Sequence, residues 1–193
     1  METFWRFGYE GTTLLDLQKA MGGIAAPSFY AAFGSKEKLF KEAVELHSST
    51  VGATALEALT GGTTARVSIE GLLRVSTDAF TVPGKPRGCM IVLGAMNCSQ
   101  DNQHVHEHLR SLRLRRLKFI RQRIERGQAD GDVPKAADAA AIAAFYDIVM
   151  DGLSIRARDG ASRAELSAAI DCAMAAWDVV VGRGTRSANA KST

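Results

Sequence analysis

AMGGIAAPSFYAAFGSKEKLF, residues 20–40, decides the fold. Gly22-Gly23 stops one helix, because glycine accepts the left-handed backbone that a helix end demands. Pro27 suits the first turn of the next helix, where its missing N–H costs nothing. Gly34 ends that helix after Phe33. Ser35 caps a longer one, with Glu37 in its first turn beside the positive helix end. A tight glycine turn joining two short helices is the shape of a helix-turn-helix, whose second helix enters a DNA major groove. Yet Ala25 and Ala26 stand where that recognition helix opens, and an alanine side chain neither donates to a base nor binds a phosphate.

Working outward, the same punctuation continues. Glu2–Phe7 reads as a helix tail ended by Gly8. Thr12 or Thr13 caps the next helix, with Asp16 completing a capping-box-like start, and Leu14, Leu17 and Met21 fall on one face. Leu39, Phe40, Ala43, Val44 and Leu46 give the helix after Ser35 a buried side. Beyond residue 50 the predicted units lengthen: Thr64 to Phe80, an irregular TVPGKPRG loop, an apolar helix over CMIVLGAMNC, a basic helix from about Asn102 to Ala129, a break at DGDVP, and a helix over Lys135–Arg158. Ser162 and Glu165 form an S-x-x-E start for a last helix reaching about Val181. Strand alternation is absent from the pattern. The expected architecture is all-α, with a three-helix helix-turn-helix head over residues 1–47, a larger helical body over 48–182, and a disordered polar tail over 183–193.

Composition narrows the class. The chain has 193 residues, 46% of them hydrophobic and 23% charged, enough for a packed core and ordinary for a globular protein. Cys89, Cys98 and Cys172 are odd in number and widely spaced, which fits a reducing compartment better than a disulfide framework. The N-terminus lacks a signal-peptide pattern, and no apolar run is long enough for a membrane helix. The expectation is a soluble cytoplasmic protein with no membrane partner. Net charge is +3, yet residues 1–47 carry −1, from Arg6, Lys19, Lys36, Lys38 and Lys41 against Glu2, Glu10, Asp16, Glu37, Glu42 and Glu45. DNA-binding heads are normally basic, because phosphate neutralisation supplies much of their affinity.

The fuller N-terminal pattern is more specific than the turn alone. FWRFGYEGTT, then an L-x-D-L-x-x-A-M-G helix, then PSFYAAFGSKEKLF, closely resembles the TetR family of bacterial transcriptional regulators over residues 4–47. GCMIVLGAMN, ERGQADGDVP and DGLSIRARDGASRAEL are similar to the C-terminal body of an AcrR-like branch of that family. The resemblance implies a homodimeric regulator, a repressor, binding palindromic operator DNA and answering to an unidentified small-molecule effector, without a cofactor. It implies a DNA-facing set of Thr12, Thr13, Ala26, Pro27, Ser28, Tyr30 and Lys36. Thr12 and Thr13 would hold phosphate at a helix start, Tyr30 would bond a phosphate, Ser28 a base or phosphate, and Lys36 would add charge. Phe4, Leu17, Phe29, Phe33 and Phe40 would form the head's core. The family pattern has a polar cap at Ala25 and often an arginine at Ala26. Losing the cap costs the helix about 1 kcal/mol, and losing the arginine removes roughly 1–3 kcal/mol of base discrimination. The family's first helix also begins well before Phe4, so that Met1 falls inside it, which implies an upstream start or a truncated head.

In the body, Phe80, Met90, Leu93, Met96, Arg116, Phe119, Phe145 and Met150 are the expected effector-pocket residues, a set that would equally suit an ordinary core. Along the basic helix, Arg116 and Arg123 project within the apolar arc of Val105, Leu109, Leu112, Leu117, Phe119, Ile120 and Ile124. Each either holds an acidic effector or pairs with carboxylates of a neighbouring helix, such as Asp147 or Asp151. Ile142, Phe145, Val149, Leu153, Leu166, Ile170, Met174 and Trp177 recur at three and four along two alanine-rich helices and are expected at a two-fold dimer interface. His104, His106 and His108 are read as a solvated helix start, not a metal site. Cys89 is the better redox candidate than Cys98, although buried small hydrophobes account for both. No nucleophile–base pair, metal quartet or phosphate-binding loop points to an enzyme. The competing reading is a helical ligand-binding or interaction module whose neutral, alanine-opened head has lost sequence-specific DNA binding.

Overall fold

The structure is a computed structural model, and it describes residues 1–182; the expected tail lies outside them. All regular structure among the described residues is helical. The helices are α1 (Glu2–Gly11), α2 (Leu14–Ala20), α3 (Ala26–Phe33), α4 (Lys36–His47), α5 (Ala53–Gly61), α6 (Ala65–Phe80), α7 (Met90–Leu93), α8 (Gln103–Asp130), α9 (Ala139–Arg158) and α10 (Arg163–Ala175). Most starts are the ones the residues dictate. Thr13 and Asp16 form a reciprocal capping box at α2, as do Ser162 and Glu165 at α10. Ser35 caps α4 through the Lys38 amide, and Thr64 caps α6 through Val67. Ala25 supplies no cap to α3, so that helix starts on Pro27 alone.

Three segments depart from expectation. The helix expected over CMIVLGAMNC shrinks to the single turn of α7, because Gly94 follows it and the chain then runs as irregular turns to a 3-10 turn at Gln100–Asn102. Helix α9 starts at Ala139 and not Lys135, since the Asp138 carboxylate takes the amides of Ala140 and Ala141. Between α4 and α5 the chain does not break. Ser48–Gly52 forms a π-turn that carries one helix into the other.

Two apolar clusters organise the chain. One centres on Phe4, Phe29 and Phe40 and holds α1 to α4 together, with Phe4 and Tyr9 each packing edge-on against Phe40 at 5.1 Å. The other packs α6, α8, α9 and α10 around Leu73, Ile120, Ile142 and Tyr146. Met90, Val105 and Leu109 come from the body but belong to the first cluster, so the head sits on the body through shared core.

Polar contacts fix that seating. Gly8 interrupts α1 with φ 72° and ψ 178°. The interruption turns the Tyr9 amide onto the Gly94 carbonyl at 2.7 Å, and Arg158 donates to the freed carbonyls of Trp5 and Arg6. The Trp5 indole donates to the Gly88 carbonyl at 2.9 Å. Glu10 accepts from Asn102, the Ser99 amide and the Ser99 hydroxyl, which hold its carboxyl down at about 2. His47, the last residue of α4, lies edge-on to Trp5 at 4.6 Å and is buried with no partner for Nδ1. Burial lowers its pKa to about 4.

Gly8→Ala places a side chain at positive φ and a Cβ 3.2 Å from the Gly94 oxygen. It is expected to cost about 1–3 kcal/mol in urea unfolding; a change below about 0.5 kcal/mol would contradict this account of the kink. His47 stays neutral in the folded chain down to about pH 4, whereas the unfolded imidazole takes up its proton near 6.5. The unfolded state therefore binds the extra proton between these values, and stability falls as pH drops through that window, by at most about 3 kcal/mol. Thermal melts should show His47→Phe losing that slope while keeping the ring packing; an unaltered slope would assign it to other groups.

Candidate nucleic-acid interface and cavity

The turn and α3 present a continuous outer face. Gly22 and Gly23 both take positive φ, and the Gln18 side chain donates to the Ile24 carbonyl at 2.8 Å, tying the turn to α2. Phe29 is fully buried and anchors α3, which leaves Pro27, Ser28 and Tyr30 exposed and Ala26 half-buried at its opening. Tyr30 packs edge-on against Phe29, and its hydroxyl makes no hydrogen bond among the described residues. Thr13 is exposed at the start of α2, and its hydroxyl both accepts from the Asp16 amide and donates to the Asp16 carboxylate. The structure corrects the expectation for Thr12. It is fully buried, its hydroxyl donating to the Gly8 carbonyl at 2.6 Å, because it caps the kinked end of α1. Lys36 is also held inward, its ammonium 4.4 Å from the centre of the Tyr9 ring, and burial lowers its pKa. Lys19 and Lys38 are exposed without an ion pair among the described residues. They are outward cations of the head, and sequence reading passed them over because it followed the family's motif positions.

Between α4, α5, α6, α8 and α9 lies a cavity of about 180 Å³. Leu59, Leu72, Phe80, Cys89 and Met150 form its buried floor, while Leu56, Arg115 and Phe119 line it from exposed positions at the rim. His47 and Ser76 are its buried polar residues. Of the expected pocket set, Phe80, Arg116, Phe119 and Met150 are brought together here. The other four are corrected. Met90 is buried in the head's cluster, Leu93 packs against the body core, and Met96 is half exposed, all because α7 is one turn and not a long helix. Phe145 projects from the far side of α9 into a second pocket, of about 260 Å³, with Ala141, Ala176 and Val179. Sequence reading missed the wall made by α4 and α5. Its signal was His47, Val51, Ala55 and Leu59 at steps of four, running straight through Gly52.

Arg116 takes the second of its two expected roles. Its guanidinium bonds Asp147 and Asp151 at 2.6 Å each. Burial lowers its pKa, but hydrogen bonds and charge from the two aspartates outweigh that and hold it firmly protonated. Arg123 donates instead to the Ser68 hydroxyl and the Gly62 carbonyl. Cys89 is buried and its thiol is pushed up by burial, the reverse of a reactive thiolate, and burial raises Cys98 as well. All three cysteines are free. His104 faces Glu37 at 3.1 Å, whereas His106 bonds the Ala95 carbonyl, so the histidine run is divided between two neighbours.

Most of the residues expected at the two-fold seam already have neighbours within the one chain. Ile142, Leu153, Leu166, Ile170, Met174 and Trp177 are buried within the one chain, because α9 and α10 first pack on each other and on α6. Phe145 and Val149 remain on the outer side. They join Ile148, which is 70% exposed, with Ile155 and Val179 in an apolar stripe.

Comparisons with known proteins agree with this architecture. The family model described as "Bacterial regulatory proteins, tetR family" matches residues 1–43, and "Tetracyclin repressor-like, C-terminal domain" matches residues 65–173. The chain is 28% identical over 182 residues to the HTH-type transcriptional repressor ComR of Escherichia coli (strain K12), covering 94% of this chain and 86% of that protein. It is similar to a cysteine mutant of the TetR family transcriptional regulator CifR solved with 26-bp double-strand operator DNA, at 39% identity and a TM-score of 0.88 over 91% of this chain and 92% of that one. A TetR transcriptional regulator from Chloroflexus aurantiacus J-10-FL, 24% identical over 91% of this chain and 88% of that one, shares the fold at a TM-score of 0.78. No helix among the described residues is long and apolar enough to cross a membrane. A glycine turn presenting α3, a helical body with its own cavity, and family models covering both parts converge: the chain belongs to the TetR family of bacterial transcriptional regulators.

Proposed function

We propose that the chain is a cytoplasmic repressor that binds palindromic operator DNA as a homodimer, acts by binding and not by catalysis, and releases the operator when a small molecule occupies the cavity. The division into a DNA-binding unit over residues 1–47 and a ligand-binding and dimerisation unit over 48–182 is part of this reading. The observation that supports it best is the double role of His47. It ends α4 of the head, packs against Trp5 of α1, and lines the cavity. Cys89, also on the cavity wall, follows the Gly88 carbonyl that Trp5 holds. A ligand touching this wall meets the same groups that set the position of the head, which is what differential binding to two head positions requires.

On the DNA side, Ser28 and Tyr30 face out from α3 with Pro27 and the half-buried Ala26, Thr13 sits at the start of α2, and Lys19 and Lys38 supply charge beside them. Lys36 reaches this face only by leaving the Tyr9 ring. With alanine at the helix opening, most of these contacts are to phosphate, so affinity should depend steeply on salt and discrimination should be modest.

Gel-shift titration on DNA flanking the chain's own gene should give a salt-sensitive complex. Tyr30→Phe should weaken it about fivefold, the loss of roughly one hydrogen bond; no complex even at low salt would overturn the reading. Ile148→Arg places a charge in the apolar stripe of α9 and should turn a dimer into a monomer in sedimentation velocity, with loss of operator binding. A dimer that survives the substitution would place the two-fold contact elsewhere.

A further inference from the structure

The rim of the cavity carries a charge that no described residue answers. Leu112, Arg115, Arg116 and Phe119 line the cavity along one stripe of α8, at the spacing that brings residues three and four apart together. The two arginines differ sharply. Arg116 is neutralised by Asp147 and Asp151 on α9. Arg115 has no hydrogen bond or ion pair among the described residues, and it is exposed where Leu56 and Phe119 mark the opening. Arg113, two residues before it, turns away to the Ile91 carbonyl.

The surroundings of Arg115 are positive. His108, two turns back on α8, has its pKa lowered by burial, then by the charges of Lys41 and Arg115, against a smaller opposing effect of Glu37. Lys41 pairs with Glu37, and among the described residues no aspartate or glutamate lines the cavity. His47 at the inner wall is neutral at ordinary pH. The cavity thus combines an apolar floor of Leu59, Leu72, Phe80 and Met150 with a cation at its mouth, Arg115, that is unpaired among the described residues.

We infer that the cavity takes an amphipathic acid, a molecule with an apolar body seated on Leu59, Leu72, Phe80 and Met150 and one terminal carboxylate held at the rim by Arg115. The assignment rests on the reading of this cavity as the effector site. Apolar burial supplies most of the affinity and the carboxylate sets orientation and selectivity, because an exposed ion pair contributes little alone. Arg116 plays no direct part: its charge is already satisfied, and drawing it to a ligand would leave two half-buried aspartates unpaired.

Isothermal titration of the full chain with octanoate, 1-octanol and octylamine tests this with one tail and three head groups. At low salt octanoate should bind about two- to fivefold more tightly than octanol, and octylamine most weakly. The octanoate advantage should shrink at high salt. Arg115→Gln should bring octanoate down to octanol without altering octanol binding, which also reports that the cavity is intact; Arg115→Lys should keep most of the preference. A preference unchanged in Arg115→Gln, an octanol affinity equal to or above that of octanoate, or failure of all three to bind would overturn the assignment. The same ligands added to the operator gel shift separate the two readings. Octanoate that binds selectively but leaves the operator complex intact would sink the effector reading and leave the ligand class standing.

Discussion

The Trp5 indole is where the two halves of the molecule are joined. Its N–H donates to the Gly88 carbonyl, its ring meets the edge of His47, and its own carbonyl is held by Arg158 from α9. An indole can serve all these purposes because it offers a broad apolar body with one directional donor. The Gly8 kink next to it is what frees the backbone for these contacts: an unbroken helix would have kept the Trp5 carbonyl and the Tyr9 amide for its own ladder. The head is therefore docked by directional hydrogen bonds as well as by packing, and such a contact has a defined geometry to gain or lose.

The cavity follows from the same junction. Helices α4 and α5 run past the body as one rod, and the space between that rod and α6, α8 and α9 is left partly unfilled. Close-packed interiors rarely leave such room without a tenant. The wall beside it is stiff, since Arg116 cross-links α8 to two successive turns of α9. The opposite wall is the π-turn and α5, which continue the head's last helix and meet it at His47. A rigid side facing a side continuous with the head is an arrangement through which occupancy can be read as displacement.

Most of the helix plan was legible because its signals are local. Thr13 with Asp16, Ser35, Thr64 and Ser162 with Glu165 each mark a start through hydrogen bonds made within one turn. The pairing of Arg116 with Asp147 and Asp151 was also readable as one of two roles, because a half-buried arginine needs a carboxylate within reach. What failed depended on long-range competition. Thr12 and Thr13 are neighbours of identical chemistry, and only the kink at Gly8 decides that the first is consumed internally. The apolar positions of α9 and α10 have the right period for a dimer seam, but periodicity marks a buried face without saying which neighbour buries it; here α6 and the partner helix claim Ile142, Leu166 and Ile170 first. The α5 wall was invisible because Gly52 reads as a stop, whereas the π-turn that holds it keeps right-handed helical backbone and carries the chain on into α5.

That π-turn at Ser48–Gly52 has a geometric meaning of its own. It amounts to one surplus residue threaded into a continuous α-helix. Each residue advances a helix by about 100°, so the surplus sets the azimuth of everything on one side against everything on the other. Had the rod been a plain α-helix, the outward face of α3 would point about a quarter-turn away from its present bearing relative to α8 and α9. The compass direction in which the molecule offers its recognition helix is thus written in a single residue of excess length, at the point where the rod crosses from one unit to the other.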